Sequence, residues 1–483
     1  MPSRVLAALL AIVPLLGAGK PLGPVVRKLD IEVTLAPTPG SLEETVELVV
    51  DARGTTRLVF ALDGGLVVKS SRSSAGVVEH RQAGDALIVD VDPPLDGPRT
   101  LGFTVAGRPR AHSGSEIGAS YAVLAPGTPW YPALPTVWAA SSVTVHVPDG
   151  WRAIAPGVPA SPARWVSEAP VRSLAVAAAP DLRVQSAPLI TTTLHLATSG
   201  DLAPTPKAAA ARLAPGLAWL SGALAPYPFE SFNLVMLSGF SGRVEASGLV
   251  VIGREAPFRG DEDGADVLAG QWFGQALGGD GAWIASFAAW QACVFARDRA
   301  LPLPAEVVSL RARYFELRSG DVALASATAD SPPSVVRGKG SAAPDMLRLA
   351  AGDRAMFDAV RELFARKPVA PVALADLRTT LEKHAGRSLT RAFADWFERS
   401  GAPEITASLR SFPASEGGFR ADVALVQKRG LYALPVEVVI RGGAGERRET
   451  IEIADETTAV FYVVPFEPKR IEIDPQNRIF RWK

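Results

Sequence analysis

Between residue 28 and about residue 183, apolar and polar side chains alternate in short runs at 29–35, 43–50, 86–91 and 100–105. Alternation with a period of two is the mark of half-buried strands. Clusters of Pro and Gly at 36–40 and 92–98 punctuate them. The pattern predicts a β-sandwich-like amino-terminal domain. Near 203–207 the texture changes: an Ala-rich helical stretch, 208–225, is interrupted by Pro215, and helical spacing dominates to about residue 399. Segments 345–366 and 374–385 carry apolar residues at helical intervals, and Gly386 is placed to cap the second. From 403 alternation returns, at 421–426, 434–440, 449–453 and 458–464, ahead of a tail at 471–482. The fold class expected is a multidomain α+β chain. Its boundaries fall at 20–187 for the β domain, 188–402 for a mostly helical domain with a small sheet, and 403–483 for a small β-sandwich.

Composition narrows the partners. The 483 residues are 48% apolar and 21% charged, enough for real cores and for about three domains of roughly 150 residues. A disordered or fibrous chain is excluded. Fifty Lys+Arg balance fifty Asp+Glu, so no long-range field exists to capture nucleic acid or an anionic membrane. At the amino terminus Arg4 precedes an apolar run at 5–16 and the small residues Gly17, Ala18 and Gly19, the layout of a secretory signal peptide over 1–19. An uncleaved anchor would need about 18 or more apolar residues, and this run is shorter. The expectation is an exported protein, periplasmic or extracellular, with no transmembrane span in the mature chain. Its one cysteine, Cys293, excludes an intrachain disulfide. It lies in the apolar stretch 286–295, and with no histidine nearby in sequence it reads as a small buried hydrophobe rather than a nucleophile.

Three pieces of the middle region stand in a telling order. Tyr227-Pro228-Phe229 leads into the apolar run 232–237; Gly242-Arg243-Val244-Glu245-Ala246-Ser247-Gly248-Leu249 follows, and then Gln271-Trp272-Phe273-Gly274. Together they resemble the gluzincin aminopeptidases, the zinc metallopeptidases typified by membrane alanyl aminopeptidases, which show a YPF segment, a GAMEN-like loop and HExxHQWFG on a helix. Asp345-Met346-Leu347-Arg348 with Gly352-Asp353 resembles the later helices of that family, and 381–390 with 393–397 resembles its E-x-x-x-G-R-x-L…F…W segment. Trp130-Tyr131-Pro132 and 143–151 look like the end of its amino-terminal β domain. The resemblance covers essentially the whole mature chain. It implies a β-sandwich or saddle domain, a thermolysin-like domain that is mostly helical with a small sheet, and a closing β-sandwich.

The chemistry that the resemblance implies has lost its atoms. A catalytic zinc takes three protein ligands and a water, whose proton passes to a nearby carboxylate. In HExxH the two histidines sit one helical turn apart so that both reach one ion. Set against this motif, Asp266 stands at the first histidine, Val267 at the general base and Gly270 at the second histidine. Trp283-Ile284-Ala285-Ser286-Phe287-Ala288 matches the segment of the third ligand, with Ser286 at its glutamate, and the spacing from Gly270 is shorter than in the family. Lys339-Gly340 matches a Y-x-K-G segment whose tyrosine donates to the developing oxyanion, and Arg337 stands at that tyrosine. No metal and no cofactor is expected, zinc entering only if other residues rebuild a site. The five histidines, His80, His112, His146, His195 and His384, show no pair at ligand spacing. Asp261, Glu262, Asp263 and Asp266 could attract a cation, or could simply be carboxylates at a helix amino terminus.

What the resemblance keeps is a binding loop. Gly242 and Glu245 match the GAMEN-like loop, whose carboxylate binds a substrate's free α-amine and whose strand edge pairs with peptide backbone; Arg243, Val244, Ala246 and Ser247 depart from it. Glu245 could equally pair locally with Arg243 or Arg254. Three functions follow: an exported pseudo-peptidase binding a peptide or protein, an active metallopeptidase with a non-standard metal site, or an architectural subunit. Strand-edge binding needs only backbone groups, so the first survives loss of the catalytic atoms.

Overall fold

A computed structural model describes residues 23–110, 114–127, 129–134, 138–200, 205–253, 261–279, 281–328, 330–366, 371–415, 417–443 and 445–482, without the side chains of 261–263. Residues 1–19, where the sequence suggests a signal peptide, lie outside the described residues, as do His112 and Arg254. The chain divides into two compact units, 1–217 with 227–260, and 218–226 with 261–483.

In the first unit the alternating runs become long antiparallel strands. Val25–Ala36 pairs with Ser41–Ala61, which pairs in turn with Ala86–Gly107, within an eight-stranded sheet. Leu29, Ile31, Val33 and Leu35 point inward, each at most 2% exposed, because a period of two puts every second residue on one face. A four-stranded sheet, Glu116–Ile117, Ala122–Leu124, Val176–Pro180 and Trp151–Ile154, contributes to the same core. The third sheet runs Arg183–Leu189, Thr192–Thr198, Ser231–Leu237, Leu249–Gly253, Arg243–Ala246. Ser231–Leu237 and Leu249–Gly253 are buried throughout and pair in parallel, which explains why they read as continuous apolar runs. Gly248, at φ +74°, makes the turn from Arg243–Ala246 into Leu249–Gly253. Asn233 Nδ2 donates to the Gly248 carbonyl at 3.0 Å and fixes that turn.

The helix Pro206–Ala223 runs on through Pro215, so the expected interruption is absent. The proline forfeits one backbone hydrogen bond without ending the helix.

The second unit carries the helices Asp261–Trp272, Ile284–Asp298, Ala305–Phe315, Ala343–Ala351, Asp353–Ala365, Leu374–Ala385 and Thr390–Trp396, then two three-stranded sheets. The helical segment expected at 345–366 is split at Gly352, whose φ of +92° no helix accommodates. Gly386 takes the left-handed conformation and caps Leu374–Ala385, as its position suggests. The core is aromatic: Phe287 packs against Phe273, Trp283, Trp290 and Phe397. Trp272 Nε1 donates to the Ala225 carbonyl at 3.0 Å. Cys293 is fully buried, and burial pushes its thiol pKa up, which leaves it a packing residue. Among the described residues no helix is long and apolar enough to cross a membrane. The architecture is multidomain α+β, with β-sandwich layers, a helical region and a small closing β-sandwich.

One inward position of the first unit is acidic. Glu44 lies between Leu42 and Val46, is 1% exposed, and neither carboxyl oxygen finds a hydrogen-bond partner among the described residues. Burial holds its pKa well above the ordinary carboxylate value of 4.5, so the group folds as the neutral acid. The native state then binds the proton more tightly than the unfolded chain, and stability falls as pH rises above the unfolded value. Glu44→Gln removes this loss. In urea denaturation the variant should gain on the parent as the pH is raised above the ordinary carboxylate value; a difference that does not change with pH would refute the assignment.

Candidate functional site

The helix Asp261–Trp272 places Asp266 and Gly270 one turn apart, with Val267 beside them, and all three are buried. Ser286 sits in the first turn of Ile284–Asp298 and is fully buried. Arg337 lies in the π-helical turn Ser334–Lys339. Such wide turns are rare and cluster at functional sites, because the extra residue re-aims the side chains around it.

The turn brings two of these positions together. Arg337 Nη2 donates to Asp266 Oδ1 at 3.0 Å and Oδ2 at 3.3 Å, and to Glu306 Oε2 at 3.2 Å. The Asp266 side chain is 9% exposed and that of Arg337 20%, so the pair is largely withdrawn from water. Glu306, in the first turn of Ala305–Phe315, was not singled out from the sequence. It could be found only through the tertiary contact, since nothing local distinguishes it from an ordinary acid at a helix start.

Ser286 faces the same turn. Its Oγ donates to the Val336 carbonyl at 3.0 Å, one residue before Arg337. A Cβ on Gly340 would collide with that carbonyl oxygen and with the Ser286 hydroxyl, so glycine is required for the turn to close over Ser286. Lys339 is fully buried and its Nζ donates to the Arg399 carbonyl at 2.8 Å.

The donor chemistry does not fit a catalytic zinc. Val267 and Gly270 carry no donor atom, Ser286 gives its hydrogen to a carbonyl, and Asp266 is engaged by a guanidinium that no cation could share closely. Among the described residues no group of three or more His, Cys, Asp or Glu side chains could hold a metal. The described histidines have local oxygen partners: His80 with Ser71, His146 with Glu32, His195 with Ser186 and His384 with Glu362.

In the first unit, Glu245 lies on Arg243–Ala246, the strand at one edge of the five-stranded sheet. Its Oε1 is 2.5 Å from Arg243 Nε, so the pairing with Arg243 forms. Gly242 precedes it at φ +150°, a backbone conformation that favours glycine.

The fold is that of the M1 zinc metallopeptidases. The chain resembles the M1 zinc metallopeptidase of Deinococcus radiodurans, solved as a mutant bound to a Tyr-Ser-Ala substrate, at a TM-score of 0.66 and 22% identity, covering 78% of this chain and 95% of that one. A mutant two domain M1 zinc metallopeptidase bound to L-arginine gives the same score and identity. Legionella pneumophila aminopeptidase A, solved with aspartic acid, reaches a TM-score of 0.76 at 15% identity; it covers 96% of this chain, which spans 60% of its length. No protein-family model matches the chain, and no curated protein matches it.

Two measurements probe this arrangement. Ser286→Glu restores an acid where the resemblance implies one, but buries it against the Val336 carbonyl and Gly340. It should cost roughly 3–5 kcal/mol of unfolding free energy, as an uncompensated buried charge does; a variant as stable as the parent in denaturant would show that the turn opens easily. Burial pulls the Lys339 pKa from 10.5 down to about 8, with Asp321 opposing and Arg399 adding to the shift. Between those values the unfolded chain holds a proton that the native state has lost, so stability rises with pH. The gain is about 3 kcal/mol across the window, and Lys339→Met should abolish it in guanidinium titrations at either end. A rise of equal size in the variant would assign it elsewhere.

Proposed function

We propose that this chain is an exported pseudo-peptidase: an aminopeptidase fold that binds peptide or protein segments and does not hydrolyse them through zinc. One observation carries the reading, the ion pair of Asp266 with Arg337. It fills the first ligand position and the position of the oxyanion-binding tyrosine with charges that satisfy each other. A general base is missing as well, since Val267 cannot accept a proton.

Binding rests on what a strand edge offers. Arg243–Ala246 ends its sheet, and a peptide can pair with such an edge through backbone groups alone. The Deinococcus metallopeptidase was solved holding a tripeptide, which supports a peptide as the class of ligand here. Glu245 would meet the peptide's α-amine, and Arg243, already paired to it, competes for the same carboxylate. Selection for a free amino terminus is therefore weaker than a lone carboxylate would give. Export rests on the signal-peptide layout of residues 1–19.

The alternative, a metallopeptidase with a non-standard site, has one observation in its favour: Asp266 and Glu306 converge on one nitrogen, and both offer oxygen to a cation if Arg337 withdraws. Metal analysis and an aminopeptidase assay on one purified sample separate the two. The expected result is substoichiometric transition metal and no release of amino-terminal residues from fluorogenic substrates. Calorimetry should show tripeptide binding, weakened roughly fivefold to tenfold by Glu245→Ala, on the scale of one ordinary hydrogen bond, because Arg243 already shares the carboxylate. Stoichiometric metal together with amino-terminal release would establish the alternative instead.

A further inference from the structure

At the opposite edge of the same sheet, the strand Arg183–Leu189 has one strand partner among the described residues, Thr192–Thr198, in antiparallel register from Arg183↔Thr198 to Leu189↔Thr192. Its other edge borders a groove of about 750 Å³ shared with the first turns of the helix Pro206–Ala223. Six consecutive residues, 185–190, line that groove. A strand face shows only every second residue, so an unbroken run means that the wall is the strand's edge, where main-chain donors and acceptors lie. The facing wall includes Ala210, Ala211 and Ala214, whose short side chains leave room for another segment. The volume is in the range of ligand-binding clefts.

We propose that this groove takes an extended acidic peptide as a sixth strand of the sheet. Main-chain groups of the strand edge would hold its backbone, while alternate side chains lie against the alanines. The charge choice comes from Lys207, which is exposed and is the one charged residue lining the groove among the described residues; the helix carries no acid in its first turn to offset it. A carboxylate side chain on the peptide meets that ammonium, and a basic peptide is repelled. Pro188 sets the register, because it lacks an N–H and blocks one rung of the ladder while its carbonyl stays available. Exposed Ile190, at the end of the lining run, offers an apolar contact. This site is distinct from the Arg243–Ala246 edge and does not rest on the pseudo-peptidase reading.

The probe is Val-Thr-Val-Glu-Val-Thr with fluorescein on its amino terminus and an amide at its carboxyl terminus, titrated with the mature chain and read by fluorescence anisotropy. A blocked α-amine removes the contact assigned to Glu245, so failure here leaves the proposed function standing. Saturable binding is expected. Replacing the peptide's Glu by Gln, or Lys207→Met in the protein, should each weaken it about fivefold, and the two together hardly more than either, as coupled partners do. Ala211→Phe, at an exposed helix position, should abolish binding while leaving the melting temperature within a degree or so of the parent. Absence of saturable binding, equal affinity for the Glu and Gln peptides, or full binding by Ala211→Phe would each overturn the proposal. So would tighter binding of the Gln peptide with a free carboxyl terminus than of the amidated Glu peptide, since that would assign the carboxylate to a chain end.

Discussion

The contact between Asp266 and Arg337 organises the helices around it in the second unit. A carboxylate that is 9% exposed and lacks a partner would be expensive to keep ionised, and a guanidinium at 20% exposure has the same difficulty. Each therefore makes the other tolerable. That mutual dependence extends to Glu306, which reaches the same nitrogen from a third helical element. The guanidinium thus ties Asp261–Trp272, the π-helical turn and Ala305–Phe315 together. In a zinc site a divalent ion would do this cross-linking through its ligands, whereas here a fixed side-chain charge does it. The consequence is chemical: a guanidinium remains protonated throughout the accessible pH range, so it can orient or attract but cannot generate hydroxide from water.

The turn that carries Arg337 shows how this arrangement was made compact. Gly340 permits the backbone to close over Ser286, and the Ser286 hydroxyl satisfies the Val336 carbonyl, an acceptor that burial would otherwise strand. A glutamate at this position could not both fit and reach outward. Ser286 is therefore part of the packing of the turn, and the vacancy implied by comparing motifs is filled by the backbone itself.

Much of this was readable from the sequence, for identifiable reasons. Alternation located the long strands because one face of each is buried, and Leu29, Ile31, Val33 and Leu35 show it directly. The Glu382…Gly386…Leu389 pattern has a local cause: Gly386 adopts the left-handed cap, and Glu382 Oε1 accepts the Leu389 N–H at 2.7 Å. Ordered motifs brought Asp266, Ser286 and Arg337 into consideration, and the structure joins Asp266 to Arg337 and sets Ser286 beneath the same turn. Other features could not be read. The role of Glu306 is a tertiary fact with no periodic signature. Pro215 failed to break its helix because a proline costs one hydrogen bond, which the packing of that helix outweighs. Glu44 reads as one of the polar residues of an alternating strand, yet its parity with Leu42 and Val46 assigns it inward.

The strongest internal contacts around the motif are made between protein groups alone. Trp272 stands beside the emptied motif but is held by the Ala225 carbonyl, and Phe273 by a cluster of rings. Asp345 is fully buried and paired with Arg297, Arg348 and the Trp290 indole N–H, a network complete in itself. In a small metal-nucleated domain the ion's binding energy is the folding energy, and losing the ligands would unfold the chain. Here burial of aromatic and aliphatic surface supplies the stability, so ligand positions can be rewritten one by one at the modest cost of individual side chains. Fold and chemistry are therefore carried by different atoms, the fold by buried rings and aliphatic side chains, any chemistry by the groups at Asp266, Val267, Gly270, Ser286 and Arg337.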